Sequence, residues 1–574
     1  MPKAKNILFV MYDQLRWDYL SCAGHPHLQT PHFDWVASRG VQFSRCYVQS
    51  PICGSSRMST YTGRYVSSHG ASWNGVPLKV GEQTMGDHLR DVGMDCVLIG
   101  KTHMRADHEG MKRLGIAPHG IIGARVSECG FDMGLRDDGM SVHGPDGSYD
   151  DNESAYNKFL KSKGYSADNP WHDNANAGVD ENLNVKSGFE LINSSMPANV
   201  REEDSETPWL TGQMIEWLEQ RYDKNSESSD TPWCVHLSFI KPHWPYIVPV
   251  PYHSMYAQDQ VIPVVQGDGE YSDAHPVLKA FQNGAVGTTA ASEEARKKYI
   301  PAYMGLVKQC DDQLGRLLDY LRDSGRLDDT IVVLTSDHGD YLGDHYLGEK
   351  GLWHDCSVKV PLIIMDPDEA ADATRGTCCD ELVEAIDLLP TFVDVQAGDG
   401  EAATRSHVLE GHSLLPLLRQ NPGKKQSDTS SVWRDHAISE YDFSMVPIRE
   451  VLGLSVDECR WYVVVDERWK CVFFTGNFRP ALYDLKNDPD ELDDLGGSEE
   501  ALHIEVMQKM RERHHQWLTR VCQRATLSDE KIKGMTGKSV RRGVVLGIYE
   551  ANKEQEPLFE KYRGKVDKDF TTAD

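Results

Sequence analysis

An unbroken apolar run, Ile7-Leu8-Phe9-Val10-Met11-Tyr12, stops directly at Asp13-Gln14, and the pattern returns where Thr330-Ile331-Val332-Val333-Leu334-Thr335 leads into Ser336-Asp337-His338-Gly339-Asp340. Runs that are apolar at every position, rather than at every second one, fit strands buried on both faces. Further apolar runs at 96–99, 233–239 and 360–365 alternate with helical patterns at 30–39, 55–62, 83–92, 209–221 and 299–324. That alternation predicts an α/β fold with a mostly parallel sheet covered by helices, and such sheets present ligands at the C-terminal ends of their strands. Asp13, Gln14, Asp337 and His338 are therefore expected to converge from two strand ends.

The chain has 574 residues, enough for one large domain and a smaller one. The expected division is a catalytic domain over 1–430, with a loop-rich insertion at 111–206 that is poor in apolar periodicity. A further patterned helix is expected at 381–395, followed by a Gly-, Asp- and Arg-rich linker that runs to about 434. An α+β domain follows at 431–524, with strand patterns at 437–441, 458–465 and 470–475 and an amphipathic helix at 499–524. The charged, weakly periodic segment 525–574 is expected to be a tail or an oligomerisation arm of a dimer or tetramer.

Lys plus Arg total 60 against 88 Asp plus Glu, a net charge of -28, so the overall field repels nucleic acid and anionic membranes and any anion site must be locally basic. No apolar stretch reaches the roughly 18 residues of a membrane span, and Asp13 interrupts the first run too early for a signal peptide. The expected location is the cytoplasm. The 13 cysteines lack framework spacing and are expected to be mostly buried thiols.

One cysteine stands apart. Cys53 lies in Ser50-Pro51-Ile52-Cys53-Gly54-Ser55-Ser56-Arg57, four residues before Arg57, a pairing suited to a metal-associated nucleophile attacking an anionic ester. Gly100-Lys101-Thr102-His103 and Lys241-Pro242-His243-Trp244-Pro245 each follow a strand pattern, and Gly348-Glu349-Lys350-Gly351 places a lysine in a glycine-flanked loop. Taken singly, Asp13 or Asp337 fits a helix cap or turn, His243 a rigid turn, and Lys350 a solvated loop. Together they describe a hard, mostly oxygen metal site, suited to Ca²⁺ first and Mn²⁺ second, with cations and imidazoles around a nucleophile.

Taken in order, residues 5–14, 50–64, 100–103, 241–245, 328–339, 349–364 and 469–495 resemble the formylglycine-dependent sulfatases of the alkaline phosphatase superfamily, a group close to the phosphonate monoester hydrolases. The resemblance implies an alkaline-phosphatase-like sheet and one divalent metal per chain held by Asp13, Gln14, Asp337, His338 and the side chain at position 53. It also implies that a maturation enzyme oxidises Cys53 to formylglycine, whose hydrate attacks sulfur or phosphorus. Arg57 would hold the modified side chain, Lys101 and Lys350 the non-bridging oxygens, and His243 the leaving oxygen. His103 would deprotonate the second hydroxyl, so that the ester collapses by elimination.

Two features depart from the usual pattern: Ser55 stands where the maturation motif commonly has proline, and the metal pairs read Asp-Gln and Asp-His, a combination shared with choline sulfatases and phosphonate monoester hydrolases. Lys101 with His103 matches the arylsulfatase side, where the hydrolases of phosphonates carry hydroxyl residues. The expected activity is hydrolysis of small anionic sulfate esters, with promiscuous turnover of phosphodiesters and phosphonate monoesters. Three alternatives stay open: a primary phosphonate or phosphodiester hydrolase, a two-zinc phosphodiesterase recruiting His345 and His354, and an unmatured anion-binding protein. A Ser-His-Asp hydrolase is disfavoured, since no Gly-x-Ser-x-Gly segment is present.

Overall fold

The computed structural model describes residues 5–139, 153–223, 230–419, 433–523 and 527–536. Nine strands form the main sheet: β1 (Asn6–Asp13), β2 (Val41–Tyr47), β3 (Asp95–Gly100), β4 (Asp132–Arg136), β5 (Trp233–Pro242), β6 (Thr330–Ser336), β7 (Lys359–Met365), β8 (Thr377–Cys379) and β9 (Val383–Glu384). Their order is β8-β2-β7-β6-β1-β5-β3-β4, with β9 also paired to β2. Only β7 runs against its neighbours, β2 and β6.

Every residue of β1, β5 and β6 is buried, and alternate side chains feed two cores. Ile7, Phe9 and Met11 point to the face covered by helices α1 (Cys53–Thr62) and α4 (Leu388–Ala397). Leu8, Val10 and Tyr12 point to the face covered by α2 (Glu206–Arg221) and α3 (Glu293–Asp323). The two-sided burial explains why these strands read as continuous apolar runs.

The smaller unit is an antiparallel sheet of β10 (Ala437–Asp442), β11 (Arg460–Val465), β12 (Trp469–Phe474) and β13 (Ala481–Asp484), with helix α5 (Ala501–Gln523) on one side. Its period of two is visible in β11: Trp461, Val463 and Val465 join the core of the main sheet, while Tyr462 and Val464 pack toward α5. Buried Lys470 of β12 bonds Asp355 at 2.5 Å, Glu491 at 2.6 Å and the Trp353 carbonyl at 3.1 Å, fastening this sheet to the loop that carries Lys350.

Three sequence readings change. Strand β2 went unread because Gln42, Ser44 and Arg45 break its apolar run. The segment read as a helix at 381–395 begins as β9 and a short 3-10 turn, Ala385–Asp387, and becomes helical only from Leu388. The insertion is also less loop-like than expected, since it supplies edge strand β4 and helices Ile121–Ser127 and Ala155–Ser162. Of the tail, Asp529–Met535 is helical, and the segment read as a linker from 396 to about 434 carries short helices Glu401–Thr404 and Leu415–Leu418, while its residues 420–432 and the arm reading beyond 536 lie outside the described residues. Among the described residues, no helix is long and apolar enough to cross a membrane.

Candidate active site

Four adjacent strands, β6-β1-β5-β3, end at one edge of the sheet and carry most of the candidate residues. The parallel register pairs Tyr12 with Ser336, so Asp13-Gln14 and Asp337-His338 emerge side by side. The Gln14 amide, at φ 65°, donates to Asp337 Oδ1 at 3.1 Å and locks the two ends together. On the other flank, Asp13 is opposite Pro242, which places His243 next to it. Gly100 pairs with Ser238 at φ 114°, where a Cβ would lie 2.1 Å from the Ser238 carbonyl oxygen, so only glycine permits the turn into Lys101 and His103.

Cys53 opens α1, a helix buried along its whole length, and its Sγ sits at the centre of the cluster. It lies 3.1 Å from His338 Nε2, 3.1 Å from Lys350 Nζ and 3.7 Å from Asp13 Oδ1. The Gly54 amide behind it donates to Asn74 Oδ1 at 2.8 Å. Burial alone would push the thiol up, but Lys350, Lys101, His338 and a hydrogen bond from His103 hold it well below the usual thiol range.

Arg57, one turn further on, is fully buried. Its Nε donates to Asp337 at 2.7 Å, Nη2 to Asp13 at 3.2 Å, and Nη1 to Ser238 Oγ at 2.7 Å and the Lys101 carbonyl at 3.0 Å. Lys101 Nζ reaches Asp13 at 2.5 Å. Burial and Cys53 raise the Asp13 pKa, but Lys101, His243 and Arg57 outweigh them and leave it well below the usual carboxylate range. Lys350 Nζ donates to Gln14 Oε1 and His243 Nε2, both at 3.0 Å. Burial and Lys350 push His243 down to about 4.

The donor set fits one divalent ion. Single ligand atoms from Asp13, Cys53, Asp337 and His338 all lie within 4.8 Å of one another. His338 Nδ1 donates to the Gly339 carbonyl at 2.8 Å, which fixes the tautomer and leaves the Nε2 lone pair facing the cluster. Gln14 Nε2 donates to Asp340 at 2.5 Å and to Tyr246 at 3.2 Å, turning Oε1 inward. Two carboxylates, an amide oxygen and one imidazole make a mostly hard site.

Every sequence-predicted site residue belongs to this cluster. His103 stands at its rim at φ 55°, with Nδ1 buried and without a partner. His345 and His354 do not belong: they form a separate group with Glu270. Their rings stack at 3.8 Å and 14°, and the group lies apart from the Asp13-Cys53-Asp337-His338 cluster, so the two histidines are not placed to add ligands to it as the two-zinc alternative requires. Sequence reading missed Asn74, Ser238, Tyr246 and Asp340. Asp340 was within reach, two residues beyond His338, whereas the others carry no local signal.

Comparison with known proteins agrees with this geometry. The family model described as Sulfatase matches residues 5–119 and 135–397, and one described as N-sulphoglucosamine sulphohydrolase, C-terminal, matches 343–519. The chain is 29% identical to the multifunctional alkaline phosphatase superfamily protein PehA of Trinickia caryophylli, over 86% of this chain and 91% of that protein. It is 27% identical to an arylsulfatase of Clostridium perfringens, again over 86% of this chain and 91% of the other. A phosphonate monoester hydrolase from Silicibacter pomeroyi superposes with a TM-score of 0.76 at 25% identity, covering 91% of this chain and 97% of that one.

Proposed function

Since the chain belongs to the sulfatase family, we propose that it hydrolyses sulfate monoesters of small alcohols or phenols, with Cys53 matured to formylglycine and one divalent ion, Ca²⁺ before Mn²⁺, at Asp13, Gln14, Asp337 and His338. The observation that carries this reading is the convergence of Lys350, Lys101, His103 and His243 on the Cys53 side chain.

When bound, the ion supplies positive charge that favours an oxygen nucleophile and offsets charge on the ester. The hydrated aldehyde supplies two hydroxyls on one carbon. Around them, Arg57 fixes both carboxylates, and Lys101 and Lys350 neutralise the non-bridging oxygens as charge moves toward the leaving group. His243, with Nδ1 held by the Trp244 carbonyl at 2.7 Å, turns Nε2 to the leaving oxygen and relays to it the proton offered by Lys350 Nζ, which donates to Nε2 at 3.0 Å. His103, which bonds the side chain at position 53, is placed to take the proton of the second hydroxyl, which would let sulfate leave by C–O cleavage with the aldehyde carbonyl re-formed. A maturation enzyme is the partner this chemistry requires.

The same cationic pocket suits phosphodiesters and phosphonate monoesters, which are also singly charged and tetrahedral. The structural likeness to a phosphonate monoester hydrolase favours a second reading in which those esters are the main substrates. The Lys101–His103 pair favours sulfate. Steady-state kinetics on matched aryl sulfate, phosphodiester and phosphonate substrates should give the highest kcat/KM for the sulfate. Preference for the phosphonate would install the second reading, and negligible turnover of all three would overturn both.

A further inference from the structure

Lys241 stands two residues before His243 in the Lys-Pro-His-Trp-Pro run, where its charge invites assignment as a third cation for the substrate anion. Its side chain does something else. Nζ donates to Asn176 Oδ1 at 2.8 Å, to the Pro245 carbonyl at 3.0 Å and, more weakly, to the His243 carbonyl at 3.4 Å. Lys241 is 5% exposed and forms no ion pair with a carboxylate among the described residues, buried Glu206 acting on it only from beyond ion-pair distance. An ammonium costs several kcal/mol to bury without a close counter-ion, so three hydrogen bonds matched to three N–H donors are needed to keep it there.

Two of the three acceptors are main-chain carbonyls at the two ends of the turn His243-Trp244-Pro245. The carbonyl between them, that of Trp244, receives the bond from His243 Nδ1 that orients the imidazole. One ammonium thus holds the backbone at 243 and 245, and the backbone at 244 holds the ring. The third acceptor, Asn176, comes from the insertion and is itself fixed by bonds from its Nδ2 and its amide to the Trp171 carbonyl, at 3.1 and 3.0 Å. The anion side of the site is already supplied by Lys101 and Lys350, whose ammonium groups contact Asp13 and Cys53.

We infer that Lys241, anchored by Asn176, is a positioning residue that aims His243 Nε2 at the leaving oxygen, and that it takes no part in binding the anion. The inference rests on the reading of His243 as proton donor to the leaving group. A misaimed donor hurts most where the leaving oxygen most needs a proton, so the effect must grow with the pKa of the departing phenol.

The test is Lys241→Met, compared with the unaltered protein on aryl sulfates whose phenols range from strongly to weakly acidic, together with calorimetric binding of inorganic sulfate. The expected result is a loss of kcat on the order of 10²-fold larger for the poorest leaving group than for the best, with sulfate affinity changed less than about threefold. Asn176→Ala, which removes one acceptor and leaves the lysine in place, should show the same leaving-group dependence at smaller size, and it decides the matter if Lys241→Met does not fold. A loss equal across the series, or sulfate binding weakened by about tenfold or more, would overturn the inference. Absence of turnover by the unaltered protein across the whole series would instead overturn the functional reading on which it rests.

Discussion

Replacing Cys53 with alanine is expected to lower kcat on aryl sulfates by about 10⁴-fold or more while leaving inorganic sulfate bound within about threefold of normal. The three cations of the site keep their own support in this variant. Arg57 remains tied to Asp13 and Asp337, Lys101 to Asp13, and Lys350 to Gln14 and His243. The cations that attract the anion thus survive, and only the atom that would attack it is gone. Loss of rate without loss of binding is the signature of a group that acts in the transition state alone. A Cys53→Ala protein within about tenfold of full activity would contradict the account and point to a hydroxide nucleophile that needs no side chain at position 53.

The second large effect concerns stability. Arg57→Met keeps much of the side-chain volume but leaves Asp13 and Asp337, both fully buried, without the guanidinium that bridges them at 3.2 and 2.7 Å. Removing one partner of a buried ion pair typically costs about 3–5 kcal/mol, because the remaining charge is stranded in a low-dielectric interior. The two carboxylates also repel each other, and Lys101 reaches only Asp13. A divalent ion in the same place supplies part of the missing charge, so the loss should be larger in chelator-treated protein than in metal-loaded protein. Urea unfolding of both forms measures it. A change below about 1 kcal/mol in chelated protein would show that Arg57 does not carry the charge balance of the site.

How much of this was legible in the sequence depends on how local each signal is. Asp13-Gln14 and Asp337-His338 could be read because each directly follows an apolar run, and parallel pairing of β1 with β6 in matching register brings two such ends together without further information. Lys101 and His243 followed by the same logic from β3 and β5. The C-terminal sheet was legible from its period of two. Asn74 and Ser238 were not, since a lone polar residue gains its meaning only from a partner distant in sequence, Gly54 for one and Arg57 for the other. Lys241 illustrates the opposite failure: the motif gives its charge correctly, but the direction of the side chain, away from the anion and into the turn that carries His243, is set by three acceptors, one of them in the insertion. Strand β2 escaped because its polar residues tolerate a place near the sheet edge, where exposure is partial.

The proposed reaction needs the side chain at position 53 to be an aldehyde hydrate made from cysteine, with Ser55 in the maturation motif no bar to conversion. In the structure Ser55 is buried and its Oγ has no hydrogen-bond partner. The decisive measurement is the mass of the tryptic peptide containing Cys53, taken from protein that turns over an aryl sulfate. The expected peptide is lighter than the thiol form by the difference between cysteine and formylglycine, and any companion at the thiol's nominal mass should resist thiol alkylation, because the aldehyde hydrate is nearly isobaric with cysteine. An unmodified thiol in fully active protein would contradict it, because the thiolate or a hydroxide would then have to perform the attack.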